Sequence, residues 1–542
     1  MRRAVSAAFA ALLACTAPAA EGLATEVLRS PVNQVFQWSH SAENTGWPGT
    51  LKTRSSAYLW IPEGCRRVRG LVIMATNCPE HLLVGHPAIR KACTEHDLGI
   101  VWAVPSFWYF GKEAKDNEKV QVDFLQKLLD GLAQTSGYDE VATVPWLPVG
   151  ESGHLLMVTG LVDQRPERCM AAITVKNPQY PKDRSVPMLW TLGTAQEWGQ
   201  KKSDIRKSWL GQRGWTHDPK WPLASLIEPG TGHFYCTDPM AVYLSRFIAA
   251  ATVRLPEDGG ATLKPVPFEQ GAYAFMPAPG AEDPAVTAYA ATPVNERNKP
   301  WFFTADLARA AQDFARVDWS AKTQLPAVTA GENTTVEPFA FQDSIAKVTV
   351  TTNGEFSLGT TLLPEIPAGF VGAGEPLATT PGDPVVTWIC GPVAPLGGNR
   401  FRIALDRTWK GAACYLAVIK EGAASVGNAP GVRYALQPVA VTLAENTKGK
   451  AQAISFPPLG SVKAGTASVP LKATSDAGLP VQFYVEAGPA VVKDGKLVLT
   501  AIPPRTRFPV TVTVAAWQWG SPAEPQVRMA PIVKQTLTIN AP

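Results

Sequence analysis

The alternation of hydrophobic and polar positions changes character along the chain. From Gly70 to about Ala251, short apolar runs alternate with stretches of helical period. Leu71–Ala75 (LVIMA) reads as a buried strand, and Pro87–Asp97 follows with Ala88, Ile89, Ala92 and Cys93 at helical spacing. Gly99–Val104 (GIVWAV) is the next strand. Asn117–Ala133 carries Phe124, Leu125, Leu128, Leu129 and Leu132 on one face, the pattern of an amphipathic helix. Val141–Val149 is strand-like, and Gly153–Val162 reads as a helix packed on all sides. Ala171–Val175, Pro187–Leu192 and Leu223–Ile227 are further strands, and Thr237–Ala251 is a closing helix. This alternation predicts an α/β fold with right-handed crossovers and a mostly parallel sheet covered on both faces.

Beyond about Leu255 proline and glycine become frequent and the strands shorten. One helix stands out at Thr304–Val317, with Leu307, Ala308, Ala311 and Phe314 on a single face. Ala346–Thr352, Val385–Cys390, Arg400–Leu405 and Cys414–Ile419 read as strands of a β-rich middle region. In the last ninety residues the alternation is cleaner: Ser468–Ala473, Val481–Glu486, Ala490–Leu499, Val510–Trp517 and Val533–Ile539. Lys493-Asp494-Gly495-Lys496 marks a hairpin, because glycine supplies the positive φ of a tight turn. Short strands with regular turns predict a β-sandwich. The segment GLPVQFYVEAGPAVVKDGKLVLT in particular resembles bacterial immunoglobulin-like domains. The expected organisation is a leader at 1–20, an α/β domain at 21–255, a β-rich region at 256–450 and an immunoglobulin-like sandwich at 451–542.

The leader is read from Met1-Arg2-Arg3, an apolar stretch from Ala4 to Ala14, and the small residues Ala17 and Ala19. Together they have the form of a bacterial secretory signal peptide. Leu12-Leu13-Ala14-Cys15 also resembles a lipobox, so lipid anchoring at Cys15 stands beside secretion or a periplasmic location. No later segment has eighteen uninterrupted apolar residues, and no transmembrane segment is expected. Export would permit disulfides. Seven cysteines follow Cys15, and the isolation of Cys390 and Cys414 from the others makes them the expected pair. A net charge of +4 on 542 residues, with no basic run, excludes an electrostatic footprint for nucleic acid. No zinc-type cysteine spacing or phosphate-cradling glycine loop occurs.

The string that can carry chemistry is Val149-Gly150-Glu151-Ser152-Gly153-His154, between a strand and a helix. A serine there sits on a sharp turn between small neighbours, and the following helix N-terminus favours a developing oxyanion. The string resembles the nucleophile elbow of α/β-hydrolases, G-x-S-x-G, with His154 in place of the last glycine. AYLWIPEG followed by GLVIMATN likewise looks like the lead-in strands of that family's secreted esterases, and the resemblance spans about Ala57 to Ala251.

The family's chain order of serine, acid and histidine has matching positions here. Glu197 follows the Pro187–Leu192 strand, with Asp204 as the second choice for the acid. His233, one of only seven histidines, lies in the loop Glu228–Phe234 before the closing helix. The resemblance implies that Ser152 attacks, that His233 shuttles the proton, and that the acid orients the imidazole. It also implies an oxyanion hole from the N–H of Gly153 and one from the loop Thr76–Pro79, for which Asn77 is the choice. No cofactor and no metal is implied. Trp108, Tyr109, Trp198 and His154 are the candidate substrate-binding residues, and Trp209, Trp215 and Trp221 fall between acid and base.

These features point to a secreted serine esterase acting on a small-molecule or polysaccharide ester, with a carbohydrate- or plant-polymer-linked ester favoured by the aromatics and the β-domains. The β-domains are candidate contacts to carbohydrate or a cell surface. Two other readings stay open. One is a serine peptidase of the prolyl-oligopeptidase type, although no blade repeat precedes the catalytic domain. The other is a surface or binding protein whose hydrolase domain is inactive.

Overall fold

The computed structural model describes residues 34–44, 53–108, 118–176, 179–193, 220–257, 259–277, 284–316, 320–337, 345–368, 372–426 and 429–542. The leader, Cys15, Tyr109, Glu197, Trp198, Asp204, Trp209 and Trp215 lie outside these residues.

The first half builds one sheet from β1 (Trp38–Asn44), β2 (Thr53–Trp60), β3 (Gly70–Met74), β4 (Leu98–Val104), β5 (Trp146–Glu151), β6 (Ala172–Val175), β7 (Met188–Gly193) and β8 (Leu223–Glu228). Their order is β1-β2-β4-β3-β5-β6-β7-β8. The β3–β8 pairings are parallel, while β2 runs antiparallel to both β1 and β4. Crossovers carry α1 (Cys78–Leu83), α2 (Pro87–Glu95), α3 (Glu118–Ser136) and α4 (Leu155–Gln164), and α5 (Asp238–Ala251) follows β8. The strand expected at Val141–Val149 starts later, because Asp139–Ala142 winds into a 3-10 turn before β5.

Both faces of the sheet are covered, which explains the near-continuous apolar runs of β3 and β4. Val72, Met74, Ile100 and Val149 pack with Ile89 of α2 and Leu244 and Phe247 of α5. The alternate residues Leu71, Ile73 and Val101 pack with Leu125 and Leu128 of α3 and Val158 and Leu161 of α4. β9 (Ala272–Tyr273), β10 (Thr287–Ala288), β11 (Trp301–Phe302) and α6 (Ala305–Phe314) extend the first layer: Tyr273, Trp301, Phe302 and Leu307 join the cluster under α5.

The middle region is a two-sheet sandwich. β12 (Pro326–Ala330), β15 (Glu355–Leu362), β18 (Arg400–Ile403) and β17 (Val393–Gly397) form one sheet. β13 (Thr334–Val336), β14 (Ala346–Val350), β20 (Ala435–Leu443), β19 (Cys414–Lys420) and β16 (Val385–Cys390) form the other. Phe356, Leu358 and Phe401 meet Val348, Trp388, Leu416 and Val439 between them. The last ninety residues also fold as facing sheets of four and three strands, sharing a core that includes Leu497, Val512, Val514 and Leu537. The expected hairpin falls at Asp494-Gly495, both at positive φ.

The expected Cys390–Cys414 disulfide is not formed; all seven described cysteines are buried free thiols. Register gives the reason. Cys390 pairs with Tyr415, one residue beyond Cys414, so their side chains leave opposite faces of the sheet. Cys414 joins the sandwich core, while Cys390 joins a cluster with Cys78 and Tyr235 on the outer face. Among the described residues no helix is long and apolar enough to cross a membrane.

Candidate active site

Parallel strands place their C-terminal ends on one edge, and the chemistry gathers there. β5 ends at Glu151, and Ser152 turns the chain at φ +51°, a conformation rarely adopted by a residue with a side chain. The turn is tight: a Cβ on Gly150 would stand 2.5 Å from the His154 carbonyl oxygen. Glycine is thus required on the strand side of the serine. The fifth motif position holds His154, whose Nδ1 lies 2.8 Å from Oε1 of Glu80 on α1.

His233 arrives from the other side of the sheet. Its loop leaves β8 at Glu228 and reaches α5 at Thr237, and Glu228 fixes both ends. The Glu228 carboxylate accepts hydrogen bonds from the Thr237 N–H (2.9 Å) and hydroxyl, and from the Thr231 hydroxyl (2.8 Å). Lys176, just past β6, donates to Glu228 and to Thr231 Oγ1 (2.7 Å) from a fully buried Nζ. So held, Nε2 of His233 lies 2.7 Å from Oγ of Ser152. His233 is 2 % exposed, whereas Ser152 is half-buried and Gly153 exposed. The serine can therefore meet a solute while the imidazole is shielded.

Around this pair is a buried polar network that joins the loop after β3 to the elbow. Asn77 Nδ2 donates to the backbone carbonyl (3.3 Å) and to the side chain of Glu151. The Glu151 N–H donates to Glu80 Oε1 at 2.8 Å, and Glu151 Oε1 lies 3.5 Å from His233 Nε2. The Asn77 side chain is therefore engaged in fixing the elbow.

Ser152, His233, Gly153 and Asn77 are thus brought together at one edge of the sheet, while Glu197, Tyr109 and Trp198 lie outside the described residues. Two expected substrate contacts are corrected. Trp108 is buried, with its ring packed over Gly160 of α4 so closely that a Cβ there would stand 2.4 Å from it. His154 is 2 % exposed and anchors the elbow to Glu80. Trp221 is also a core residue, edge-on to Trp190 at 5.4 Å. Glu80 and the Lys176–Glu228 pair had no sequence signal, because Glu80 meets Glu151 71 residues away and Lys176 meets Glu228 52 residues away. Glu151 was visible inside the motif, but only the fold shows its carboxylate facing His233.

No protein-family model matches the sequence, and no curated protein matches it. Solved structures similar to part of the chain include an α/β serine hydrolase homologue from Coxiella burnetii, at 14 % identity over 39 % of this chain and 95 % of that one, with a TM-score of 0.26. Poly(aspartic acid) hydrolase-1 from Sphingomonas sp. KT-1 is 14 % identical over 40 % of this chain and 99 % of that one, with a TM-score of 0.28. Est1E from Butyrivibrio proteoclasticus is 11 % identical over 39 % and 97 %, with a TM-score of 0.26.

Proposed function

We propose that this chain is a serine hydrolase of the α/β-hydrolase type that cleaves a carboxylic ester through an acyl-enzyme. The observation that carries this reading is the 2.7 Å contact between Ser152 Oγ, on a left-handed turn at the sheet's C-terminal edge, and His233 Nε2. In this reading the serine proton passes to Nε2 as Oγ attacks the ester carbonyl. The N–H groups of Gly153 and Asn77 receive the oxyanion, and the imidazolium returns its proton to the departing alcohol. Water then repeats the sequence on the acyl-enzyme. Glu197 is assigned as the acid that orients the imidazole, and the Glu151 carboxylate balances its charge from the serine side.

Residues 1–20 are taken as an export signal, and the C-terminal sandwich, whose strand Ser461–Lys463 runs parallel to Val533–Asn540, as an immunoglobulin-like domain. The substrate is assigned as a carbohydrate- or plant-polymer-linked ester. The test is turnover of acetyl, feruloyl and glucuronoyl esters beside peptide amides, using wild type and Ser152→Ala. Ester turnover lost in the variant supports the reading. Faster amide turnover would replace it with a peptidase, and no turnover of any member would remove the esterase assignment.

A further inference from the structure

The middle sandwich is built into the edge of the sheet that carries the serine. Along β16, β19 and β20, the residues that alternate with the sandwich core form an outward apolar face. Ile389, Cys390, Ala417 and Leu436 of that face pack against Cys78 of α1 and Tyr235 of the histidine loop. The contact is close and specific. The Gly391 N–H donates to His81 Nδ1 of α1 at 3.3 Å, and a Cβ on Gly230 would stand 2.8 Å from the Tyr434 carbonyl. At its rim Tyr415 of β19 stacks on Phe234, with ring centroids 5.4 Å apart and planes 9° from parallel. Phe234 in turn meets the His233 ring edge-on at 4.8 Å. Both aromatic side chains are half-buried, unlike the sealed His233. Burial first, then the neighbouring Cys78, Cys390 and Glu151, hold the Tyr415 phenol protonated.

We propose that Phe234 and Tyr415 form the wall that receives the alcohol portion of the substrate, and that Tyr415 selects alcohols bearing a ring. This rests on the serine-hydrolase reading. The departing oxygen must come to His233 Nε2 to collect its proton, so groups beside the imidazole meet the alcohol and not the acyl chain. A partly exposed aromatic pair offers a flat apolar face that stacks on another ring and gives little to a short alkyl group. The middle sandwich thereby supplies a specificity residue to a site whose reacting groups belong to the first sheet.

The test uses the full chain with benzyl acetate and ethyl acetate, which share an acyl group and have leaving groups of similar basicity. Tyr415→Leu keeps apolar bulk and removes the ring. It should lower kcat/KM for benzyl acetate by about tenfold, chiefly through KM, and leave ethyl acetate within about twofold. Tyr415→Phe should behave as wild type. Equal losses on both esters, no loss on benzyl acetate, or a Tyr415→Phe defect as large as that of Tyr415→Leu would each overturn the proposal. The rate of Ser152 labelling by a small fluorophosphonate shows separately whether the reacting pair is intact. A wild-type protein that neither labels nor turns over either ester contradicts the hydrolase reading itself, a result distinct from loss of ring selection.

Discussion

Oε1 of Glu151 lies 3.5 Å from Nε2 of His233, the same nitrogen that meets Ser152 Oγ at 2.7 Å. The residue preceding Ser152 therefore places a buried carboxyl group against the His233 imidazole. In the proposed mechanism the imidazole gains positive charge as the serine is deprotonated, and this interaction then strengthens towards the transition state. Glu151→Gln should lower kcat by about tenfold, roughly 1.4 kcal/mol, with little change in KM. Steady-state kinetics on one ester checks this, and an unchanged kcat would remove Glu151 from the account.

The elbow depends on a missing side chain. Gly150→Ala would drive a methyl group to 2.5 Å from the His154 carbonyl oxygen and 2.9 Å from Val158 Cγ2. The first contact is backbone and cannot turn aside. A cost of about 1–3 kcal/mol is expected, seen as a lower denaturant midpoint together with slower labelling of Ser152. Wild-type values for both would show that the turn has more room than its geometry indicates.

Lys176 and Glu228 hold the histidine loop by a buried ion pair. Lys176→Met leaves the Glu228 carboxylate buried beside two threonine hydroxyls without its cation. Loss of one partner of such a pair typically costs about 3–5 kcal/mol, whereas replacing both by neutral groups costs less. Lys176→Met should therefore lower stability and turnover together, and adding Glu228→Gln should recover part of the stability. Urea unfolding of the single and double variants measures this, and a double variant weaker than the single would contradict it.

Much of this arrangement was legible from the order of residues. The buried runs at Leu71–Ala75 and Gly99–Val104 became parallel strands, since apolar residues on both faces demand cover on both. The string Gly150–His154 and the glycine-rich loop to His233 signalled their turns locally. What was hidden depends on distance along the chain. The docking of β19 on the histidine loop brings Phe234 to Tyr415 across 181 residues, and alternation along a strand shows two faces without naming what each will meet. Trp108 misled for a related reason: an aromatic after a strand suits a rim or a core equally, and Gly160 opens the space that admits it to the core. The Cys390–Cys414 pairing failed on one residue of register.

Acid should loosen the joint between the first sheet and the middle sandwich. His81 is fully buried, and its Nδ1 accepts the Gly391 N–H, which requires an unprotonated ring nitrogen. Burial first, then the charge of Arg407, push its pKa down to about 3. The unfolded chain takes up that proton near pH 6.5, so the stabilisation is complete above that value and is lost as pH falls towards 3. Asp406, with Oδ2 3.6 Å from His81 Nε2, is raised by burial and acts with opposite sign, offsetting part of the loss. The urea midpoint should fall across this window, and the fall should be shallower in His81→Gln. Identical slopes would contradict the assignment.

The most direct measurement is covalent labelling of the full chain by a fluorophosphonate, with the modified residue located by peptide mass. One adduct is expected, on Ser152, abolished in Ser152→Ala and slowed by orders of magnitude in His233→Ala while the fold is retained. No adduct on wild type, an adduct that survives Ser152→Ala, or labelling indifferent to His233 would contradict the assignment of this serine and histidine as the reacting pair.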